Sequence, residues 1–243
     1  MPSTKSILKG LSILESIARG SRTLTEIHEE LGIPKTTVHR TLATLIESNY
    51  IRDVKGIGLM LGTEIMRLGL LAQEQMPLRA IARPYLERLA NETQDTVHLG
   101  IREDEFIFYL DKVKGYRTIE MKSSIGDRLP LACTGIGKSL MLDLPRSEIS
   151  RLCRTQIKDK EKSEIIINRM NEYTKGDYSF DLEDSTELLR CVAVPIRNKH
   201  KNIIAAISLA SINVYMSNER MNDLIPLLKN TSRLISRDID QLS

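Results

Sequence analysis

The segment from Thr23 to Ile46 most constrains the fold, because it predicts two short helices separated by a very tight turn. Thr23 and Glu26 have the spacing of a capping box, in which hydroxyl and carboxylate satisfy opposing backbone amides at a helix start. Gly32 ends this helix, and Pro34 suits the first turn of the next one. Two short helices joined by a turn that contains glycine predict a helix-turn-helix.

The flanking segments complete a small DNA-binding unit. Apolar residues recur at helical spacing from about Ser6 to Ala18, which predicts a first helix that ends at Gly20. After the helix-turn-helix, residues 50–53 and 59–61 predict the two strands of a wing around a glycine-rich turn. Residues 62–74 then predict an apolar linker helix. It either lies under one of the domains or packs against its copy in a dimer, and we favour the dimer.

The helix after Pro34 has two chemically different faces. One face is apolar and is expected to pack inward: Val38, Leu42, Leu45 and Ile46. The other carries short hydroxyls and one guanidinium, with His39 on its flank: Thr36, Thr37, Arg40 and Thr44. A solvated surface helix would favour Glu and Lys instead, and threonine has poor helix propensity. The outward face therefore predicts contact with another molecule.

Duplex DNA is the molecule that this outward face fits. Arginine can donate two hydrogen bonds to a guanine edge, and threonine can contact phosphates, base edges or a thymine methyl group. The overall charge is nearly balanced, with 35 Lys and Arg against 32 Asp and Glu, so the cations between Pro34 and Lys55 matter most. We predict eight DNA-contacting residues: Lys35, Thr36, Thr37, His39, Arg40, Thr44, Arg52 and Lys55.

The remaining two thirds of the chain change to a mixed pattern. A helix is predicted around Tyr85–Leu89, following Pro84. Strands are predicted at 96–101, 106–110, 117–121, 189–196 and 203–209. Further helices are predicted at 136–144, 165–173 and 224–239. This order predicts an α+β domain, with an antiparallel sheet flanked by helices.

Composition narrows the class of protein further. Three cysteines, none in a Cys-x-x-Cys pair, form neither a disulfide framework nor a zinc site. No signal peptide or membrane-spanning segment is expected, so we predict a cytoplasmic protein without membrane association.

Three segments resemble one protein family. Residues 32–42 (GIPKTTVHRTL) resemble the recognition-helix segment of the IclR family of bacterial transcriptional regulators. Residues 129–138 (LPLACTGIGK) and 178–196 resemble two segments of the effector domain of that family. The motifs keep their order and spacing over effectively the whole chain. Residues 96–100 and 124–126 most resemble the members that respond to sugar acids.

The resemblance implies a domain plan and a function. It implies a winged helix-turn-helix over residues 1–61, a linker helix over 62–76 and a GAF-like effector-binding domain over 77–243. It also implies a homodimeric or homotetrameric regulator that binds an operator, controls a carbon-catabolism operon as a repressor, and responds to a small organic or sugar acid. The matching family positions line the effector pocket: Leu129, Gly135, Ile136, Asp181, Leu189, Cys191 and Ser208. Two departures are Ala210, in place of a second serine, and residues 56–59 of the wing, which lack the usual Arg or Tyr.

Residue types support a small polar pocket in this domain. Gly135 and Gly137 stand at a predicted helix start and would leave amides free for a carboxylate. Ser208 would add to this anion end, and Asp181, in an acidic loop, would accept a ligand hydroxyl. The alternative is structural for each residue: Cys191 as a small core residue, Ser208 bonded locally and Asp181 capping a turn.

An enzyme is the rival hypothesis. Residues 132–139 end in Gly-Lys-Ser like a phosphate-binding loop, so Lys138 and Ser139 could serve a nucleotide-dependent enzyme. However, Ala132 stands where that loop needs glycine, and no suitable strand ends in a magnesium-binding aspartate. The histidines lack metal-ligand spacing, and His98 faces either the pocket or solvent. We therefore predict no catalytic residue, no metal site and no cofactor.

Overall fold

The computed structural model describes residues 4–117 and 122–241, and these divide into two compact units between Met76 and Pro77. The N-terminal unit contains four helices and a two-stranded antiparallel sheet: α1 (Thr4–Arg19), α2 (Leu24–Leu31), α3 (Lys35–Glu47), β1 (Ile51–Val54), β2 (Gly58–Leu61) and α4 (Thr63–Glu74). This order is a winged helix-turn-helix followed by a linker helix.

A single apolar core holds the helices and the wing of this unit together. Ile13 and Ile17 of α1, Ile27 of α2 and Val38 of α3 are fully or almost fully buried in it, and Leu59 brings β2 to the same core. The linker helix α4 contributes no buried residue to this unit. The three-helix core with a wing is therefore stabilised by apolar burial, while most apolar side chains of α4 are exposed.

The described residues of the C-terminal unit form one six-stranded sheet between two layers of helices. Its helices are α5 (Pro77–Thr93), α6 (Gly135–Leu140), α7 (Arg146–Gln156), α8 (Lys160–Gly176) and α9 (Asn218–Asp240). Its strands are β3 (Thr96–Glu103), β4 (Phe106–Val113), β5 (Arg128–Pro130), β6 (Ser179–Leu182), β7 (Leu189–Arg197) and β8 (Ile203–Ile212). The strand order is β5-β4-β3-β8-β7-β6, and every neighbouring pair is antiparallel.

Side chains alternate between the two faces of this sheet. Val192 and Leu209 point to the face that α5 and α9 cover. Cys191 and Ala210 point to the opposite face, where α6, α7 and α8 pack. Both faces are buried, which gives the GAF-like α+β arrangement of a sheet covered by helices.

Several predicted boundaries are wrong. Helix α5 begins at Pro77 and continues through the exposed Pro84, because the residues before it already present apolar side chains to the core. Helix α6 is shorter than expected and stops at Leu140, and α7 and β6 were not predicted. Of the strand expected at 117–121, Arg117 lies in a bend and the other four residues lie outside the described chain.

Candidate functional site

Local interactions fix the angle between α2 and α3. The Thr23 hydroxyl accepts the Glu26 amide, the Glu26 carboxylate accepts the Thr23 amide, and both halves of the capping box are present. Gly32 adopts a left-handed conformation (φ 65°) and donates its amide to the carbonyl of His28. The His28 ring lies 2.7 Å from the Ile33 carbonyl oxygen. These contacts leave the turn little freedom, so α3 is held in a defined orientation.

The outward face of α3 lies in solvent. Side chains of Lys35, Thr36, His39, Arg40 and Thr44 are exposed, and Thr37 is half-buried. The Thr44 hydroxyl donates to the Arg40 carbonyl at 3.3 Å, so part of its hydrogen-bonding capacity is used within the helix.

The inward face of α3 is narrower than predicted. Val38 and Leu42 are buried and Leu45 is half-buried, but Ile46 is 38% exposed. Ile46 lies in the last turn of α3, where the chain already leaves the core towards β1. The expectation that it packs inward is therefore wrong.

Arg22, which the sequence analysis did not single out, holds the wing. Its guanidinium donates to the Ile17 carbonyl at 3.0 Å and the Leu59 carbonyl at 3.3 Å, and its own carbonyl accepts the Leu59 amide at 2.8 Å. Gly58 passes so close that an added Cβ would lie 2.5 Å from the Arg22 carbonyl oxygen. An arginine directly before an N-cap was the available clue, but its partners are distant in sequence.

Four of the predicted DNA-contacting residues are cations. Lys35 and Arg40 on α3, Arg52 on β1 and Lys55 in the wing turn are all exposed. None of the four is paired with a carboxylate within residues 4–117 and 122–241. Unpaired cations beside exposed hydroxyls are the groups that bind a phosphate backbone and base edges.

The C-terminal unit brings most of the predicted effector residues together beneath α6. An added Cβ at Gly135 would lie 2.4 Å from Cys191 Sγ and 3.4 Å from the Asp181 amide nitrogen, so only glycine lets α6 approach β6 and β7. Asp181 is the direct neighbour of Cys191 in the sheet, and Ser208 on β8 lies directly opposite Ala193, two residues along β7 from Cys191. Burial raises the pKa of Cys191 to about 12, so this thiol is protonated.

Two predicted members lie at the margin of this cluster. Leu129 is on the short edge strand β5 opposite Ile107 and is 37% exposed. Leu189 begins β7 and is half-buried against the cluster's apolar rim. Ile136, by contrast, is fully buried over the sheet.

The Asp181 carboxylate accepts hydrogen bonds from the loop between β6 and β7. Its Oδ1 accepts the amides of Asp184 (2.7 Å) and Ser185 (3.3 Å), and its Oδ2 accepts the Ser185 hydroxyl at 2.6 Å. Burial raises the pKa of this carboxyl, while the charge of Lys138 opposes the shift. The position is in strand β6 rather than in a loop, and both oxygens already have donors.

The start of α6 also differs from expectation. Gly137 was expected to leave its amide free, but that amide donates to the Thr134 hydroxyl at 3.0 Å. An added Cβ at Gly137 would lie 2.1 Å from the Leu131 carbonyl oxygen, so this glycine allows close packing. Thr134 caps α6 and was not among the residues predicted from the sequence.

The phosphate-loop interpretation conflicts with the position of its two key residues. Lys138 is fully buried, and its Nζ donates to the Phe180 carbonyl (3.1 Å) and to the Asp184 carboxylate (2.5 Å). The Ser139 hydroxyl lies 3.0 Å from that of Ser179. Both side chains are therefore committed to the core instead of facing a nucleotide.

Neither a metal cluster nor a membrane-spanning helix is found among the described residues. Within residues 4–117 and 122–241, no three or more His, Cys, Asp or Glu side chains are grouped to hold a metal ion. Over the same ranges, no helix combines the length and the apolar character needed to cross a membrane.

A winged helix-turn-helix with an exposed cationic and hydroxyl-bearing third helix defines a DNA-binding transcriptional regulator. Two family models match the chain: the IclR helix-turn-helix domain over residues 6–54 and the bacterial transcriptional regulator IclR C-terminal domain over residues 71–237. The chain therefore belongs to the IclR family of bacterial transcriptional regulators, whose members are regulators rather than enzymes.

Characterised relatives align over nearly their full length. The transcriptional regulator KipR of Bacillus subtilis is 31% identical, covering 97% of both chains. KdgR of Escherichia coli is 27% identical over 96% of this chain and 92% of its own. The acetate operon repressor of Salmonella typhimurium is 28% identical over 90% and 84%.

A solved structure shares the fold. The crystal structure of an IclR homologue from Microbacterium hydrocarbonoxydans, complexed with 4-hydroxybenzoate, superposes with a TM-score of 0.82 at 18% identity. The match covers 98% of this chain and all of the other.

Proposed function

We propose that this regulator is a repressor of a carbon-catabolism operon, and that a small organic or sugar acid bound in residues 77–243 controls its affinity for the operator. The exposed face of α3 carries the DNA-binding half of the proposal. Arg40 would contact a base edge, Thr36, Thr37, His39 and Thr44 would contact bases or phosphates, and Lys35, Arg52 and Lys55 would bind the backbone. The similarity to the acetate operon repressor, at 28% identity, supports repression rather than activation and a carbon-catabolism operon as the target.

The sheet face beneath α6 supports the effector half. Asp181, Cys191 and Ser208 on this face lie beneath Gly135 and Ile136 of α6, and their polar groups interrupt an otherwise apolar layer. Leu129 and Leu189 would form the apolar margin of the site. The 4-hydroxybenzoate bound to the Microbacterium homologue supports a small acid as the class of ligand.

The linker helix supports a homodimer, or a homotetramer assembled from dimers. Met66, Leu70 and Leu71 of α4 are between 40% and 68% exposed, and α4 has no buried residue. An apolar face of this kind is stabilised when it packs against the same face of a second copy, and two-fold symmetry would present two α3 helices to two half-sites.

Operator selection tests the DNA-binding half. The purified chain is incubated with a pool of random duplexes, and the bound fraction is amplified and sequenced over several rounds. We expect one enriched sequence with two related half-sites, bound more tightly than random duplex at a fixed salt concentration. Enrichment of no sequence, with equal binding to all duplexes, would contradict the proposal.

A thermal-shift screen tests the effector half. Small carboxylic and sugar acids are added to the chain, since a ligand that binds only the folded state raises the unfolding temperature. Acids that raise it are then added to the complex with the selected operator. We expect at least one acid to change operator affinity, and an acid that binds without changing it would refute the control mechanism.

A further inference from the structure

A row of four polar residues and one alanine crosses the sheet face that α6 covers. The row joins residues that are directly paired on five neighbouring strands: Ser179, Ala193, Ser208, His98 and Lys112. Directly paired residues of antiparallel strands point to the same face. Ser179 fixes which face this is, because its hydroxyl donates to the Gly135 carbonyl of α6 at 2.7 Å.

His98 therefore points into the proposed effector site beside Ser208. It is 4% exposed, and its ring centroid lies 5.0 Å from that of Tyr109, which belongs to the same apolar cluster as Ile136 and Cys191. The sequence left open whether His98 faces the pocket or solvent. Its register on β3, opposite a buried serine, answers that question in favour of the pocket side.

The partner of His98 is a hydroxyl group that does not come from the sheet. His98 Nε2 lies 2.7 Å from the Ser123 hydroxyl oxygen, and Ser123 is half-buried in the segment before β5. The Ser123 carbonyl accepts the ammonium of Lys112 at 2.6 Å. Ser123 therefore supplies, from the edge of the proposed site, the hydroxyl group that pairs with the His98 imidazole.

We propose that His98 is a specificity-determining residue of the effector site, and that its Nε2 binds a hydroxyl group of the acid in place of the Ser123 hydroxyl. This inference rests on the proposed function and narrows the ligand to a hydroxylated carboxylic acid. A ligand hydroxyl can donate and accept like the serine hydroxyl, so the exchange leaves the buried imidazole paired.

Charge favours a hydroxyl over a carboxylate at this position. Burial lowers the pKa of His98 to about 3, and the nearby charge of Lys112 acts in the same direction, so the imidazole is neutral near pH 7. A neutral imidazole in a desolvated site offers no counter-charge for a carboxylate. Asp181, the hydroxyl acceptor that the sequence indicated, already receives three hydrogen bonds from its own loop.

Calorimetric titration of matched acids tests this inference. The pairs differ by one hydroxyl: lactate and propionate, 4-hydroxybenzoate and benzoate, gluconate and 2-deoxygluconate. They are titrated into the full chain, His98→Phe, His98→Gln and the control His200→Phe, whose histidine is exposed. We expect the wild type to prefer the hydroxylated member of at least one pair by about fivefold, the gain in affinity that one neutral hydrogen bond gives.

The variants should separate hydrogen bonding from packing. In His98→Phe, the ratio of affinities for the hydroxylated and the hydroxyl-free acid should fall close to one, while the affinity for the hydroxyl-free acid stays unchanged. In His98→Gln, the ratio should stay as in the wild type, because the glutamine amide can still pair with a hydroxyl. Ser123→Ala should bind the hydroxylated acid more tightly than the wild type, because the competing hydroxyl is gone. It also tests the inference if His98→Phe does not fold.

The outcomes distinguish this inference from the proposed function. Equal binding of both members of every bound pair, a preference retained in His98→Phe, or unchanged or weaker binding in Ser123→Ala would overturn the role of His98 while acid binding stands. Binding of none of the acids by the wild type would refute the proposed effector class, and the role of His98 with it.

Discussion

Replacing Lys138 should destabilise the C-terminal unit strongly, because its ammonium neutralises a buried carboxylate. The Lys138 side chain is 0% exposed and the Asp184 side chain is 5% exposed. Within the described ranges, the only further cation paired with the Asp184 carboxylate is Arg169, whose Nη1 lies 3.2 Å from Asp184 Oδ1. Removing one partner of a buried ion pair costs about 3–5 kcal/mol. Since Arg169 stays paired, we expect Lys138→Met to lower the free energy of unfolding by about 3 kcal/mol.

Urea unfolding followed by tyrosine fluorescence measures this loss. The chain has no tryptophan, and all its tyrosines except Tyr50 lie in residues 77–243, so the signal reports mainly the C-terminal unit. Lys175→Met, at an exposed position of α8, is the control and should change stability by less than about 0.5 kcal/mol. The double variant Lys138→Met, Asp184→Leu should lose less than the sum of its single variants, since it leaves no isolated buried charge.

The pH dependence follows from the same pair. Burial alone would raise the pKa of Asp184, but the charge and hydrogen bond of Lys138, with Arg169, hold it below its ordinary value. A lowered folded-state pKa means that this stabilisation is present above the unfolded-state value of about 3.9 and is lost as the pH falls through the folded-state value. The stabilising role of the buried pair would be refuted if Lys138→Met lowered the free energy of unfolding at pH 7 by less than about 1 kcal/mol.

Three further substitutions test the N-terminal unit. Arg40→Lys keeps the charge but loses the paired hydrogen bonds of a guanidinium. In competition binding, the binding free energy should therefore weaken by about 1–3 kcal/mol for the selected operator and hardly at all for random duplex. Equal losses for both DNAs would exclude a base contact by Arg40. Lys35→Ala should weaken operator and random duplex alike and reduce the slope of log affinity against log salt by about one, whereas an unchanged slope would argue against a phosphate contact. Glu30→Gln should weaken protection of α1 and α2 in hydrogen exchange at pH 7. Hydrogen bonds from Ser16, Arg19 and Ser21 lower the pKa of Glu30 to about 2, so its contribution is present above about pH 4.3 and is lost as the pH falls through about 2. A difference between variant and wild type that persists unchanged at pH 2 would contradict this assignment.

The helix-turn-helix could be predicted because its determinants are local. The capping box at Thr23 and Glu26, the left-handed Gly32 and the apolar spacing of Val38 and Leu42 all act within a few residues. Ile46 was misplaced because spacing alone does not show where a helix leaves the core. The resemblance to a family supplied the domain plan that local patterns could not.

The candidate effector site was predictable only in part. Sequence could place Cys191 and Ser208 on apolar strands, but their shared face depends on strand order and register. The hydrogen bond between His98 and Ser123 joins residues 25 positions apart, and that between Lys138 and Asp184 joins residues 46 apart. Such pairs depend on how the sheet and α6 come together, and no local spacing indicates them. For the same reason the sequence left open whether Asp181 binds a ligand or caps its own loop, where it accepts three hydrogen bonds.

Guanine methylation interference on the selected operator tests the central claim most directly, that α3 places Arg40 in the major groove. Methylation at guanine N7 blocks the acceptor that an arginine contacts there. We predict that methylation of one guanine in each half-site abolishes binding of the wild type, and that Arg40→Ala binds methylated and unmethylated sites equally at that position. Wild-type binding that is insensitive to methylation at every guanine of both half-sites would contradict the account.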